Sequence, residues 1–213
     1  MNKTKFASAG MTMTALAAMI VSTSAFAAPE PAPVFVKRIS DVLVERLVKE
    51  RPNFQKNPAI LNTIVKENIE PYVDFEGFAR GVMGQYYRQA TDAQRNAFTT
   101  TFRQSLIRTY AKGLAAYNNQ SYSIRPFTAG RDPSKAVVSM DFKTDNGNIP
   151  VTYQLIQSGE SWKVRNVSLN GIDIGLTFRN QFASTVQNNR GSLDDAIKSF
   201  APSADAVGGT GNK

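Results

Sequence analysis

The sequence predicts an α+β domain in which helices wrap one face of a curved, mainly antiparallel four-stranded sheet. Before residue 120, apolar residues recur every three or four positions, which is the period of an amphipathic helix. From residue 122 to residue 169 they alternate with polar residues, as in strands with one buried face. The helical period returns after residue 172. Helices followed by strands and then by helices indicate an α+β fold.

The first residues predict a segment that is removed from the mature protein. Lys3 and Lys5 precede a short apolar run, and Ala25-Phe26-Ala27 has the A-x-A form of a cleavage site. We therefore interpret residues 1–27 as a secretory signal peptide and expect an exported protein. Residues 28–33 are a Pro-rich lead, residues 34–200 are expected to form a single domain, and residues 201–213 are expected to be a flexible tail.

Three helices are predicted before residue 90. The apolar pattern of residues 34–50 predicts the first, which Pro52 ends. The second lies between Pro58 and Pro71. Asp74 can cap the third, which covers residues 72–85. This third helix contains three glycines, Gly77, Gly81 and Gly84. They indicate either that another backbone approaches the helix closely or only that the helix packs tightly.

The longest helical pattern extends from Thr91 to Tyr117. Thr91 and Gln94 have the spacing of a capping box, in which each side chain satisfies a free amide at the helix start. The helix would be about 40 Å long at 1.5 Å per residue. Either protein alone or protein together with a ligand must cover its apolar face. This face consists of Phe98, Phe102, Leu106, Ile107, Tyr110, Leu114 and Tyr117.

The second half of the chain predicts the sheet and two further helices. The strands are expected at residues 122–127, 136–143, 149–156 and 162–169, with a hairpin turn at residues 145–148. In the last strand, Trp162 and Val164 are out of phase with Val167 and Leu169, which predicts a bulge or bend. A helix over residues 172–187 follows, and a short helix begins near Ser192.

The composition excludes several function classes. The chain has no histidine and no cysteine, so the Ser-His-Asp and Cys-His nucleophile systems and the usual zinc and copper ligand sets are excluded. The acidic pairs Asp74/Glu76 and Asp194/Asp195 are more simply explained as helix-start residues. The net charge of +8 is spread without a basic block, which argues against nucleic-acid binding and is compatible with transient contact with an anionic membrane surface.

Three stretches carry a combined signature: VDFEGFARGVMGQYYRQAT running into DAQRNAFTTTFRQSLIRTYAKGLAAY, then YSIRPF, then VTYQLIQSGESWKVRNVSLNGIDIGLTFRNQF. With this signature, residues 34–200 resemble the MlaC/Ttg2D family, also called the toluene-tolerance Ttg2 family. A serine often stands in the family where Asp173 stands here, and either residue can cap a helix.

The resemblance implies a periplasmic phospholipid carrier that maintains outer-membrane lipid asymmetry. Such proteins shuttle lipids between an outer-membrane lipoprotein–porin complex and an inner-membrane ABC transporter complex with an MCE-domain subunit. Phospholipid is then cargo, with its acyl chains in an apolar cavity between helices and sheet and its headgroup at the mouth. The resemblance implies no covalent chemistry and no cofactor. We expect a monomer.

The inward sheet face and the facing helices supply the residues expected to line this cavity, although core packing alone is the alternative for each. They are Val82, Met83, Phe98, Phe102, Val138, Met140, Val151, Tyr153, Leu155, Val164, Ile172, Ile174, Phe178 and Phe182. The headgroup candidates, which could equally be solvated surface arginines, are Arg80, Arg125, Arg165 and Arg179.

Two other functions remain open from the sequence. One is a periplasmic module that binds a peptide or a partner helix in its groove. The other is a lipid-ester hydrolase, for which only carboxylate, tyrosine and lysine side chains would be available. Phospholipid that copurifies with the protein would favour the carrier, and a polypeptide that copurifies without lipid would favour the binding module.

Overall fold

A computed structural model describes residues 30–115, 121–144 and 147–202. The predicted signal peptide, residues 145–146 of the predicted hairpin turn, the end of the predicted long helix and residues 203–213 of the predicted tail lie outside the described residues. The α+β architecture is confirmed. The helices are α1 Ala32–Glu50, α2 Ile60–Asn68, α3 Phe75–Met83, α4 Tyr86–Gln89, α5 Asp92–Ala115, α6 Ile174–Asn188 and α7 Leu193–Ser199.

The strands form one antiparallel sheet in sequence order. They are β1 Tyr122–Ile124, β2 Lys135–Thr144, β3 Gly147–Ser158, β4 Ser161–Leu169 and β5 Ile172–Asp173. The prediction of four strands is wrong, because Ile172 and Asp173 form a fifth strand and do not begin the helix. Positive φ angles at Asn170 and Gly171 reverse the chain, so that Ile172 pairs with Leu169. Two residues are too few to show an alternating pattern.

The bulge predicted in the fourth strand is confirmed. Asn166 pairs with Gln154, whereas Val164 pairs with Leu155, so that Arg165 is the extra residue. An extra residue moves the following side chains by one position along the pleat. As a result, Val167 returns to the face of the sheet that Val164 occupies.

Side chains cap the helices at the positions that the sequence predicted. The Asp74 carboxylate accepts a hydrogen bond from the Gly77 amide at the start of α3, at 2.9 Å. The amides of Thr91 and Gln94 each donate to the side chain of the other residue, which completes the capping box of α5. Asp173 accepts from the amide of Leu176 and caps α6 in the same way.

The buried side chains form three separate clusters. The first lies between α1 and the sheet and includes Phe35, Met140 and Leu155. The second joins α3, α5, α6 and α7 through a set of phenylalanines that includes Phe98, Phe102, Phe178 and Phe182. The third joins α1, α2 and α5 and includes Leu47, Leu61, Ile64, Val65 and Ala111. The space between these clusters is where the candidate site lies.

Candidate functional site

An apolar pocket of about 270 Å³ lies where the three clusters meet. Helices α2, α3, α5 and α6, strand β4 and the segment between α2 and α3 contribute to its wall. The lining side chains are all aliphatic or aromatic: Val65, Ile69, Val73, Phe75, Phe78, Leu106, Ile107, Leu114, Val164, Val167, Leu169 and Ile174. A wall without polar side chains offers water few hydrogen bonds and favours hydrocarbon.

A side pocket of about 140 Å³ adjoins the apolar pocket. The two share four wall residues, namely Ile69, Val73, Val164 and Val167. The side pocket also has polar groups, among them the buried Ser40 and the hydroxyl of Tyr153. Burial raises the pKa of Tyr153 to about 12, although a hydrogen bond with Ser40 opposes the shift. The tyrosine is therefore neutral at physiological pH and adds no charge to this wall.

The shared wall is fixed to the bulge of β4. Val73 forms a parallel bridge with Val164, and the Asp74 amide donates to the Val164 carbonyl at 2.9 Å. Next to this bridge, Nε of Arg165 donates to the Asp74 carboxylate at 2.6 Å. A Cβ atom at Gly77 would lie 2.3 Å from Cζ of Arg165, so glycine leaves the space that this guanidinium needs. Asp74 thus holds the start of α3 and the pocket wall at once.

The structure brings three of the predicted lining residues to these pockets. Val164 and Ile174 line the apolar pocket, and Val164 and Tyr153 line the side pocket. The others lie elsewhere. Between the sheet and α1 are Val138, Met140, Val151 and Leu155, and Ile172 is partly buried against the phenylalanine cluster. The α3–α5–α6–α7 cluster contains Val82, Met83, Phe98, Phe102, Phe178 and Phe182.

Sequence reasoning missed most of the wall of the apolar pocket. The missed residues are Val65, Ile69, Val73, Phe75, Phe78, Leu106, Ile107, Leu114, Val167 and Leu169. The sequence carried one signal of this wall, the change of phase after Val164, which sets Val167 and Leu169 apart from the alternation of Trp162 and Val164. Leu106 and Ile107 also belong to the apolar face of α5, but periodicity does not distinguish a pocket wall from a packed core.

The four predicted arginines occupy different environments. Arg125 donates twice to Asp141 near the β1 edge of the sheet, at 2.7 and 2.6 Å, and thereby lowers the pKa of that carboxyl. Arg165 is paired with Asp74, as described above. Arg80 has a looser ion pair, 3.6 Å, with an exposed glutamate. Arg179 donates through Nε to the carbonyl of Gly81 at 2.7 Å.

Two polar surface depressions contain three of these arginines. The cap cleft, of about 430 Å³, lies between the capped starts of α3 and α6 and is lined in part by Phe78, Arg165, Asp173 and Arg179. The arginine groove, of about 520 Å³, is lined in part by Arg80, Arg88 and Arg179. Phe78 is common to the cap cleft and the apolar pocket, so that its ring separates polar from apolar space.

The described residues contain neither a metal-binding cluster nor a helix that could span a membrane. Among them, no group of three or more histidine, cysteine, aspartate or glutamate side chains could hold a metal ion. Over the same ranges, no helix combines the length and the hydropathy that crossing a bilayer would require.

The comparisons with known proteins point to one class, proteins that bind phospholipid. A model of the MlaC protein family matches residues 37–201. The toluene tolerance protein Ttg2D of Pseudomonas putida is 37% identical over 161 residues, which cover 75% of this chain and 74% of that protein. The intermembrane phospholipid transport system binding protein MlaC of Haemophilus influenzae is 26% identical over 199 residues, which cover 89% of each chain.

A solved structure agrees with these matches. The phospholipid-binding protein from Ralstonia solanacearum, determined in complex with a phospholipid, superposes with a TM-score of 0.69 and 29% sequence identity. The match covers 78% of this chain and 93% of that one. The present chain belongs to the MlaC family, and the resemblance read from its sequence is confirmed.

Proposed function

We propose that this protein is a periplasmic phospholipid carrier that moves lipids between the outer and inner membranes and so maintains outer-membrane lipid asymmetry. One observation carries the proposal, a pocket lined only by aliphatic and aromatic side chains at the junction of three core clusters. The phospholipid bound to the relative from Ralstonia solanacearum supports it. Binding and release of cargo require no covalent step.

The acyl chains of the cargo are proposed to occupy the apolar pocket and its side pocket. An apolar cavity of about 150 Å³ is large enough to bind benzene, and the apolar pocket alone is larger than that. Each methylene group transferred from water to such a site contributes about 0.8 kcal/mol. Separation of Val73 from Val164 would join the two pockets and lengthen the space for a chain.

The headgroup is proposed to lie in the cap cleft. Phe78 separates this cleft from the apolar pocket, so a lipid with its tail beside Phe78 would place its phosphate within reach of the cleft. Arg179 is the cation that fits this role, since only its Nε is used by the protein among the described residues. Arg165 also lines the cleft, but its charge is balanced by Asp74. Arg125 does not line it.

The cellular setting of the carrier follows from the relatives and from the start of the chain. We propose export by the signal peptide of residues 1–27 and a mature domain over residues 34–200. The proposed partners are an inner-membrane Mla ABC transporter complex, through its MCE-domain subunit, and an outer-membrane lipoprotein–porin complex. The name of the Haemophilus influenzae relative, a binding protein of an intermembrane phospholipid transport system, supports this assignment.

Lipid extraction tests the proposal directly. Protein purified from the periplasm without detergent should release phospholipid into organic solvent, identified by mass spectrometry. Protein stripped of lipid should then take up a fluorescent phospholipid from vesicles. Repeated preparations that contain no lipid and take up none would refute the carrier function. A copurifying polypeptide in such preparations would favour the peptide-binding alternative.

A further inference from the structure

The arginine groove is distinct from the two pockets proposed for the acyl chains, and it shares Gly81 and Arg179 with the cap cleft proposed for the headgroup. It shares no lining residue with the apolar pocket or with the side pocket. Phe75 and Phe78 of α3 face the apolar pocket, whereas Arg80 and Gly81 of the same helix line the groove. A lipid whose tails fill the apolar pocket and whose headgroup lies in the cap cleft therefore leaves Arg80 and Arg88 of the groove available.

The groove is positively charged and has no acidic lining residue. Arg80, Arg88 and Arg179 contribute three guanidinium groups to its wall. The charge of Arg80 is partly balanced by its 3.6 Å ion pair with the exposed Glu76, which does not line the groove. Within the described residues, Arg88 makes no hydrogen bond or ion pair, and its side chain is exposed. Three cations in one depression of about 520 Å³ repel one another and attract an anion.

Two of the three guanidinium groups are held in place by contacts that leave donors free. Cζ of Arg80 lies 5.3 Å from the centroid of the Tyr87 ring, and Cζ of Arg95 lies 4.5 Å from the same centroid. Arg179 is held through Nε by the Gly81 carbonyl. A planar guanidinium with free terminal nitrogens matches two oxygens of a phosphate.

The remaining wall suits the surface of a membrane. Tyr86 packs edge-on against the buried Phe182 at 6.0 Å, so the aromatic part of the groove is anchored in the core. Tyr87 adds further aromatic surface beside the charges. Tyrosine favours the boundary between headgroups and hydrocarbon because one end of its side chain is apolar and the other is polar.

We propose that the arginine groove binds the phosphate of an anionic phospholipid that remains in a membrane, and so docks the protein on the membrane surface. This inference adds a second lipid contact to the proposed carrier and rests mainly on Arg80 and Arg88, which do not line the cap cleft proposed for the cargo headgroup. A concave site of this size takes a single headgroup that projects from the bilayer.

Vesicle flotation tests the inference with lipid-loaded full-length mature protein. We expect it to float with vesicles of equal parts phosphatidylglycerol and phosphatidylcholine and to remain unbound with vesicles of phosphatidylcholine alone. The double variant Arg80→Gln/Arg88→Gln should bind the anionic vesicles about thirtyfold more weakly, since each basic residue at such a surface contributes about fivefold. The single variant Arg88→Gln, which removes no internal contact, should bind about fivefold more weakly.

A charge-matched variant provides the control. Lys56→Gln/Lys66→Gln removes the same two charges from exposed positions outside the groove and should retain most of the vesicle binding. Equal losses in the two double variants would overturn the proposal. Binding of inorganic phosphate to the groove without vesicle binding would also overturn it. The cargo extracted from the same preparations is also measured. A variant that loses vesicle binding but keeps its cargo would support the docking role of the groove. Absence of cargo from the wild-type protein would count against the carrier function and not against docking.

Discussion

Substitution of Ile174 by glutamate tests whether the apolar pocket holds the cargo. Ile174 is the first residue of α6, is 7% exposed and lines the apolar pocket. A carboxylate there would face the acyl chain without a cationic partner. An uncompensated buried charge costs about 3–5 kcal/mol, which corresponds to roughly a 150- to 5000-fold loss of lipid affinity.

The same helix supplies a matched control. Leu176 is 52% exposed and lines the cap cleft instead of the apolar pocket. Leu176→Glu adds the same charge to the same turn of α6, where an acidic residue is favoured by the helix dipole in both variants. Because its charge remains in water, it should lose at most about fivefold in lipid affinity through repulsion of the cargo phosphate in the cap cleft, far less than Ile174→Glu.

Uptake of a fluorescent phospholipid from vesicles, measured at equilibrium with lipid-stripped protein, compares the two variants. Contact with hydrocarbon raises the pKa of a glutamate above its usual value of about 4.3. The loss in Ile174→Glu should therefore be full above the raised pKa and diminish as the pH falls through it. A folded Ile174→Glu protein that loads as well as Leu176→Glu at pH 7 would refute the assignment of this pocket to the cargo.

Three further substitutions test the surroundings of the pocket. Asp74→Ala removes the cap of α3 and should lower the free energy of unfolding by about 1–2 kcal/mol. Arg165→Ala keeps the cap and should lower it by less than about 1 kcal/mol, because the ion pair with Asp74 is partly exposed. Urea denaturation that ranks the two variants in the reverse order would contradict the capping role. Phe102→Ala should lower the free energy of unfolding by about 3–5 kcal/mol. It should change lipid uptake little below the melting temperature, since the fully buried Phe102 does not line the apolar pocket. A large loss of uptake in the folded variant would contradict this prediction. Tyr153 should ionise near pH 12 in the folded protein, because burial raises its pKa. Its contribution to stability is therefore complete below the unfolded pKa of about 10 and is lost as the pH rises toward 12. An absorbance titration in which the Tyr153→Phe protein still contains a tyrosine that ionises near pH 12 would contradict this assignment.

Local sequence signals predicted much of the fold because they act over a few residues. The capping side chains of Asp74 and Asp173 lie three residues from the amides that they bind, so spacing alone identifies them. The phase change after Val164 likewise reports the bulge within a single strand. By contrast, β5 depends on the turn at Asn170-Gly171 and on pairing with the end of β4, and its two residues carry no periodic signal.

The candidate site could be predicted only in part because its wall depends on how three clusters approach one another. Phe98 and Ile174 both belong to apolar helix faces, yet Phe98 contacts other phenylalanines and Ile174 faces the apolar pocket. Val73 lies between two helices and belongs to no apolar stripe. It lines both pockets because its bridge to Val164 draws this segment onto the sheet.

The division of the core into three clusters explains how an apolar pocket can persist beside a stable fold. Three well-packed clusters, rather than one, supply the burial that stabilises the domain. The segment that divides the apolar pocket from the side pocket is fastened by one backbone bridge, by the hydrogen bond from the Asp74 amide to the Val164 carbonyl, by one partly exposed ion pair and by the packing of Val73 against two of the clusters. Such a fastening is weak compared with burial of several methylene groups, each of which contributes about 0.8 kcal/mol. The proposed acyl chain would therefore gain enough energy to displace the Val73 segment from Val164, at the expense of the packing of Val73 against two of the clusters.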